Sequence, residues 1–261
     1  MSVESVINPA NLDEALTRAA SLERLLVITD FDGTIAELVD DPETAIPVPK
    51  VVESLEYLAS CRDTCVALVS GRGRADLLAR VGAVRRALAI GSYGAEWGDE
   101  YPRLTPEEAE QLDAAVEVLR VLCADFAGAW VERKPVSAAL HTRRLTPGDE
   151  ARVVQAATGT IRALGLLSDH PGKHVVEFIV GVAAKGRAAL RLAGLHNAKA
   201  IVVLGDDVAD EQMFASARPP AEWVTIHVGS NPTSARFRVK DPHEAAHALA
   251  MLAAARAAAR G

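Results

Sequence analysis

The sequence contains little of what marks a secreted or membrane-anchored chain. Its 261 residues include only three cysteines, Cys61, Cys65 and Cys123, and no two of them form a C-x-x-C pair. So sparse a set is typical of reduced thiols in a cytosolic protein. The N-terminal segment lacks the basic region and apolar run of a signal peptide, and no stretch of about 18 uncharged apolar residues could cross a membrane. We therefore expect a cytoplasmic protein with no membrane partner.

An excess of positive charge is also missing. The chain carries 35 Asp and Glu residues against 28 Lys and Arg residues, which gives a formal net charge of -7. Nucleic-acid binding needs a basic surface, so we expect no nucleic-acid partner. A small anionic substrate is compatible with this charge, because a local cation can outweigh the overall sign. The oligomeric state is open, and a monomer is the simplest expectation.

Short apolar runs alternate with helical patterns over most of the chain. Runs without polar alternation are typical of strands buried on both faces of a parallel sheet, and they occur at 25–29, 65–69, 88–90, 200–204 and 224–228. Helical patterns lie at about 50–60, 75–81, 184–193 and 210–217, and an alanine-rich helix is expected at 245–260. This alternation predicts an α/β class with a doubly wound, Rossmann-like core.

The middle of the chain has a different order of elements. Thr105-Pro106-Glu107-Glu108 has the signature of a helix N-terminus, and Thr146-Pro147 begins a second helix. Strand-like runs lie between and after these helices, at 130–133, 136–142 and 174–180. We expect an α+β insert at about 102–180, with residues 1–101 and 181–261 forming the core.

Polar clusters follow three of the predicted strands directly. They are Asp30-Phe31-Asp32-Gly33-Thr34, Ser70-Gly71-Arg72 and Gly205-Asp206-Asp207. In open α/β sheets, ligands bind at the carboxyl ends of the strands, so we expect these clusters to form one site. The carboxylates of Asp30, Asp206 and Asp207 are hard oxygen ligands that suit Mg²⁺. Capping of the following helix is the alternative for any one of them, Asp207 included.

Lys185 adds a positive charge at the start of a predicted helix. A lysine there is unfavourable for the helix dipole, but it makes sense if it serves an anion bound at that end. A solvated surface lysine is the alternative.

The three polar clusters and the pair Lys185-Gly186, taken in chain order, resemble the four motifs of the haloacid dehalogenase (HAD) superfamily of phosphatases. Longer stretches are similar to the trehalose-6-phosphate phosphatase family within it, and they lie at 30–45, 91–97, 132–143, 172–178 and 205–214. The sequence departs from the usual family residues at Tyr93, Thr142, Ala209 and 178–180. None of these departures touches a residue that the resemblance implicates in phosphoryl transfer.

The resemblance implies a Mg²⁺-dependent phosphatase. Asp30 would be the nucleophile, and Asp32 would be the general acid and then the base, with its backbone carbonyl on the metal. Ser70 and Lys185 would hold the phosphoryl oxygens, and Gly71 and Arg72 would contact the substrate. Asp206 and Asp207 would complete the metal site.

The insert resembles the cap domain of that family, which closes over the site and excludes water. Four of its charged residues match the positions that bind the sugar hydroxyls: Glu132, Lys134, Lys173 and Glu177. His141 and Arg143 match a His-x-Arg element, and Arg143 is a candidate phosphate contact. A solvated face with surface ion pairs is the alternative.

Other interpretations remain open. The substrate could be a different sugar phosphate, such as a glucosyl- or mannosyl-glycerate phosphate or a pseudo-disaccharide phosphate. A non-catalytic sugar-phosphate sensor is also conceivable, although a sensor has no need for Asp30 and Asp32. The segment His243-Glu244-Ala245-Ala246-His247 fits the H-E-x-x-H zinc motif. No possible ligand follows His247, so we expect a terminal helix with solvent-facing histidines.

Overall fold

The structure is a computed structural model that describes residues 9–39, 41–82, 84–98, 104–165, 167–172, 174–180 and 185–260. The chain divides into two compact units. The larger unit consists of Met1–Gly98 and Ala184–Gly261, and the smaller one of Asp99–Ala183. Among the described helices, none has the length and the apolar character that crossing a membrane requires.

The larger unit contains helices and strands in alternation, labelled here in chain order. The helices are α1 (Pro9–Ser21), α2 (Val51–Ser60), α3 (Arg74–Val81), α6 (Lys185–Leu195), α7 (Val208–Phe214) and α8 (Pro242–Arg260). The strands are β1 (Leu25–Thr29), β2 (Thr64–Val69), β3 (Leu88–Gly91), β4 (Glu96–Trp97), β9 (Ala200–Gly205), β10 (Glu222–Val228) and β11 (Phe237–Val239).

In the described part of the chain these strands form one seven-stranded sheet in the order β11-β10-β9-β1-β2-β3-β4. All neighbouring pairs are parallel except β3 with β4. The side chains of β1 alternate between two apolar layers. Leu25 and Val27 pack into a cluster that includes α1, α2 and α8, and Leu26 and Ile28 into one that includes α6 and α7. Helices therefore cover both faces, and the predicted doubly wound core is confirmed.

In its described residues, the smaller unit has two helices and a four-stranded sheet. Its elements are α4 (Pro106–Cys123), β5 (Trp130–Arg133), β6 (Ser137–His141), α5 (Pro147–Ala163), β7 (Ser168–Gly172) and β8 (Val175–Ile179). The sheet is antiparallel in the order β5-β6-β8-β7. Thr105 and Glu108 form a capping box at the predicted N-terminus of α4. Apolar residues of α4 and α5 pack against one sheet face, around Leu140 and Phe178.

Two helix positions differ from the sequence expectation. A helix is present at Pro9–Ser21, although the sequence patterns described above predict no element before residue 25. Helix α7 begins at Val208 rather than at Asp210, because Asp207 and Asp210 form a capping box that starts the helix. Asp210 therefore lies inside the first turn of α7.

Candidate active site

Three strand ends meet at one edge of the seven-stranded sheet, and each carries a polar residue. Asp30 follows β1, Ser70 follows β2, and Asp206 follows β9. Strand β1 lies between β9 and β2, which is where the strand order runs outward in both directions. Open α/β sheets bind ligands at this kind of switch point. Lys185, the first residue of α6, joins the group.

Lys185 is a buried cation surrounded by carboxylates. Its Nζ lies 2.9 Å from Oδ1 of Asp30, 2.8 Å from Oδ1 of Asp210 and 3.9 Å from Oδ1 of Asp207. Its side chain is only 1% exposed. Burial by itself lowers the pKa of Lys185, but the charges of Asp210 and Asp30 outweigh it, and the pKa lies well above its usual value. Lys185 is thus a permanent positive charge beside Asp30, and the surface-lysine alternative is wrong.

The aspartates of this cluster are difficult to ionise together. Burial and the charges of neighbouring carboxylates raise the pKa of Asp30 to about 6 and that of Asp206 to about 8, against the pull of Lys185. Burial also raises the pKa of Asp210 well above its usual value. One oxygen from each of these three carboxylates lies within 4.8 Å of the others. A divalent cation fits this donor set, because its positive charge would offset the repulsion between the ionised carboxylates.

Asp210 was not among the predicted site residues. Its Oδ2 accepts hydrogen bonds from the backbone N–H groups of Asp206 and Asp207, at 2.9 and 3.1 Å, and its Oδ1 accepts one from Lys185. Asp210 thus holds both the loop after β9 and the lysine, so its oxygens are largely committed to protein donors. The sequence signal was its spacing of four residues from Asp206.

Asp207 was expected to be a metal ligand, but its carboxylate lies in the position of a helix cap. Its Oδ1 accepts a hydrogen bond from the backbone N–H of Asp210 at 2.9 Å and caps α7. It is not part of the three-carboxylate group found among the described residues. This geometry favours the capping alternative for Asp207, since the helix N-terminus already satisfies the carboxylate.

Gly33 and Thr34 fix the carboxylate of Asp206 from the loop after β1. Thr34 Oγ1 donates to Asp206 Oδ1 at 2.9 Å. Gly33 has a φ of +76°, and a Cβ atom there would lie 2.1 Å from Asp206 Oδ2. Only glycine allows the left-handed turn and the close approach of this carboxylate.

Asp32 is held by Arg72 in a two-pronged ion pair. Arg72 Nε donates to Asp32 Oδ2 at 2.6 Å, and Nη2 donates to Oδ1 at 2.7 Å. The same guanidinium donates to Asp76 Oδ2 at 2.7 Å and to the carbonyl of Pro42 at 2.8 Å. Arg72 was expected to contact the substrate, whereas in this structure its donors orient Asp32 and the loop around Pro42.

Ser70 and Gly71 border a turn that has an unusual backbone. Ser70 is 1% exposed, and its Oγ accepts from the N–H of Arg72 at 3.2 Å. The next strand ends in a turn where Ser92 and Tyr93 have φ values of +47° and +55°. A Cβ on Gly71 would lie 2.6 Å from the ring of Tyr93, so the tyrosine packs directly on this glycine. Each non-glycine residue held in the left-handed backbone conformation costs about 1–3 kcal/mol, and such residues cluster at functional sites.

In the smaller unit, several predicted substrate residues lie together. Glu132 Oε2 is 3.0 Å from His141 Nε2. Glu177 is 5% exposed, and its carboxylate oxygens are both 3.3 Å from Lys134 Nζ. Ser137 Oγ donates to Glu177 at 2.5 Å. These contacts bring four of the predicted residues into two pairs on one sheet. Arg143 is exposed, and Lys173 lies outside the described residues.

The H-E-x-x-H segment lies in α8, where its histidines are exposed. Glu244 accepts a hydrogen bond from the backbone N–H of Lys240, and Asp241 accepts from the N–H groups of His243 and Glu244. Among the described residues, the metal-capable group does not include these histidines. The expected terminal helix with solvent-facing histidines is confirmed.

The fold is similar to that of a haloacid dehalogenase-like hydrolase from Bacteroides thetaiotaomicron, with a TM-score of 0.65 and 13% identity over 87% of this chain and 98% of that one. The C-terminal domain of Candida albicans trehalose-6-phosphate phosphatase shares this fold, with a TM-score of 0.80 and 22% identity over 94% of this chain and 97% of that one. A family model described as trehalose-phosphatase matches residues 28–243, so the chain belongs to the trehalose-phosphatase family.

Two curated relatives agree with this membership. The bifunctional trehalose-6-phosphate synthase/phosphatase of Thermoproteus tenax is 32% identical over 88% of this chain. The trehalose-phosphate phosphatase of Mycobacterium tuberculosis is 32% identical over 83% of this chain. The chain spans 32% of the length of the first relative and 58% of the second.

Proposed function

We propose that the protein is a Mg²⁺-dependent phosphatase that hydrolyses trehalose 6-phosphate to trehalose and inorganic phosphate. The observation that carries this proposal is the buried carboxylate of Asp30 beside the ammonium of Lys185, with Asp32 two residues further along the same loop. A nucleophile, a fixed cation and an acid at one strand end are the groups that phosphoryl transfer needs. The trehalose-phosphatase family supports the choice of sugar.

Asp30 attacks the phosphorus atom, and the bond between phosphorus and the sugar oxygen breaks as the aspartyl phosphate forms. For this step the ion pair between Asp32 and Arg72 opens and Asp32 is protonated; it then gives its proton to that oxygen, so trehalose leaves as an alcohol. Asp32 then takes a proton from the water molecule that attacks the aspartyl phosphate. The second step breaks the bond between phosphorus and Asp30 and restores both carboxyl groups.

Charge complementarity comes from Lys185 and the loop after β2. The ammonium of Lys185 and the hydroxyl of Ser70 bind phosphoryl oxygens, and Gly71 lets the backbone approach them. Bound Mg²⁺ supplies further positive charge to the phosphoryl group. We propose that the carboxylates of Asp30 and Asp206 and the backbone carbonyl of Asp32 would be its ligands. Asp207 would act indirectly, by capping α7 next to this site.

We assign sugar recognition to the smaller unit, as its resemblance to a cap suggests. The carboxylates of Glu132 and Glu177 accept hydrogen bonds from sugar hydroxyls, while Lys134 and His141 orient them, in keeping with their observed pairing. Arg143 and Lys173 remain candidate contacts for the phosphate and the sugar.

The test is phosphate release from trehalose 6-phosphate beside a panel of glucosylglycerate, mannosylglycerate and other disaccharide phosphates. Each substrate is measured with Mg²⁺, with EDTA, and with the variant Asp30→Asn. Asp113→Asn is the matched control, because this exposed carboxylate pairs with Arg133 in the smaller unit. We expect selective, Mg²⁺-dependent release that only Asp30→Asn abolishes.

Release from a different sugar phosphate alone would keep the chemistry and replace the substrate. Absence of Mg²⁺-dependent release from every member of the panel would refute the enzyme and favour the sugar-phosphate sensor. Fold alone does not separate the two.

We further propose that the chain acts in the cytoplasm as a monomer. Its three cysteines are free thiols, which suits a reducing compartment. Fractionation of the native cells and sedimentation of the purified protein test the two statements.

A further inference from the structure

The sheet of the smaller unit has one apolar and one polar face. Leu140 and Phe178 point into the apolar cluster with α4 and α5. Side chains alternate along a strand, and Trp130 pairs with His141 across β5 and β6, as Glu132 pairs with Ala139. These four residues therefore lie on the opposite face, away from the two helices.

Trp130 is the unusual member of this polar face. Its ring stacks on the imidazole of His141, with the ring centres 3.9 Å apart and the planes 8° from parallel. Trp130 is nevertheless 48% exposed, because β5 is an edge strand of the sheet. One side of the indole is thus covered by His141, and a large part of the ring remains accessible.

The same histidine connects the indole to a carboxylate. Glu132 Oε2 lies 3.0 Å from Nε2 of the imidazole that stacks on Trp130. A flat aromatic surface and a hydrogen-bond acceptor are therefore fixed side by side by His141. Binding sites for small polar molecules combine apolar surfaces with a few well-placed polar groups in this way.

A pyranose ring has the matching chemistry. One face of the pyranose presents C–H bonds, and their partly positive hydrogen atoms are attracted to the negative face of an indole. Hydroxyl groups surround the rim of the pyranose. We propose that Trp130 is a specificity residue, whose indole stacks on a sugar ring while Glu132 accepts hydrogen bonds from the hydroxyls of that ring. This inference rests on the proposed function and adds to it the residue that selects a sugar ester over a small phosphate ester.

The alternative is a purely structural role for Trp130, in which its cross-strand pair with His141 only stabilises β5 against β6. The experiment therefore compares two substrates in one protein. We expect Trp130→Ala to lower the ratio of kcat/KM for trehalose 6-phosphate to that for p-nitrophenyl phosphate by about tenfold or more, mainly through KM. Trp130→Phe should restore most of the ratio, because a ring remains.

Val121→Ala is the matched control, because Val121 is an apolar residue of the same unit that is 71% exposed on α4. This substitution should leave the ratio as it is. Loss of activity on both substrates in proportion, together with a lower Tm, would show a structural role for Trp130 and overturn the proposal.

A second measurement does not depend on turnover. Asp30→Asn protein is titrated with each sugar phosphate of the panel while tryptophan fluorescence is recorded. We expect a change on binding that disappears when Trp130→Phe is added. If no sugar phosphate is hydrolysed but this signal is present, the proposed enzyme activity is refuted and the proposed stacking of a sugar on Trp130 is supported. If turnover is present and the signal survives Trp130→Phe, the stacking proposal is refuted and the enzyme activity is kept. A panel that gives no signal at all refutes the stacking proposal.

Discussion

Binding of Mg²⁺ should depend strongly on pH, because the metal competes with protons for the buried aspartates. Asp206 has a pKa of about 8 and Asp30 one of about 6 without a metal. Between these values the metal must displace the proton of Asp206, so the apparent affinity for Mg²⁺ falls about tenfold for each unit by which the pH is lowered. From pH 8.5 to 6.5 the two groups together weaken binding by roughly thirtyfold, or about 2 kcal/mol.

The assay is a calorimetric titration with Mg²⁺ at pH 6.5, 7.5 and 8.5, in buffers of different ionisation enthalpy. We expect about 1.2 protons released per metal ion at pH 6.5 and less than half a proton at pH 8.5. Asp113→Asn, which alters an exposed carboxylate, should show the same dependence as the unchanged protein. Affinities equal within about threefold at pH 6.5 and 8.5 would refute the reasoning.

The same pKa values fix the sign of a stability change. Both carboxyl groups hold their protons more tightly in the folded protein than in the unfolded chain, since their pKa values are raised from 3.8. Their contribution to stability is therefore present at low pH and lost as the pH rises through about 6 and then about 8. In EDTA the Tm should fall over this range, and excess Mg²⁺ should reduce the fall.

Two substitutions test positions that support the site, and a third tests the packing of the core. Gly33→Ala should weaken Mg²⁺ binding about tenfold or more, as measured by thermal shift, because the added Cβ displaces a carboxylate ligand. Gly98→Ala has a similar positive φ with open space around it and should leave Mg²⁺ binding intact. Arg72→Ala should lower kcat about tenfold or more with a smaller effect on KM, because it frees Asp32; a rise in KM alone would mean that the arginine binds substrate. Arg256→Leu should lower the free energy of unfolding by about 3 kcal/mol in urea, because this buried guanidinium donates to several backbone carbonyls; a loss below about 1 kcal/mol would contradict this.

The core strands could be predicted because burial on both faces leaves a plain signal. The run Leu25–Thr29 is apolar throughout, and all five of its residues are buried in β1. Strand β7 could not be found in this way, because Ser168–Gly172 has no such run and includes a proline. It lies at an edge of its sheet, where a missing N–H donor is tolerated. Helix α1 does have a helical pattern, since Leu12, Leu16 and Ala19 are spaced by four and three residues and are buried.

The site divides in the same way between what the sequence reveals and what it hides. Asp30, Ser70 and Asp206 follow strands directly, so their meeting at one edge follows from strand order alone. The pairing of Arg72 with Asp32 joins residues 40 positions apart, and its geometry depends on how two loops pack. A sequence pattern carries no information on such distances.

The hidden contacts decide the electrostatics of the site. In this cluster of described residues, Lys185 faces Asp30, Asp207 and Asp210 at once, and Asp206 adds a further carboxylate. One lysine cannot balance these groups and also a phosphate dianion, since each added negative charge raises the pKa values of the others. The raised pKa of Asp206 is the local sign of that imbalance. A divalent cation would relieve this imbalance at neutral pH, and the network that holds Lys185 on Asp210 leaves Asp30 and Asp206 as the ligands that we propose for it.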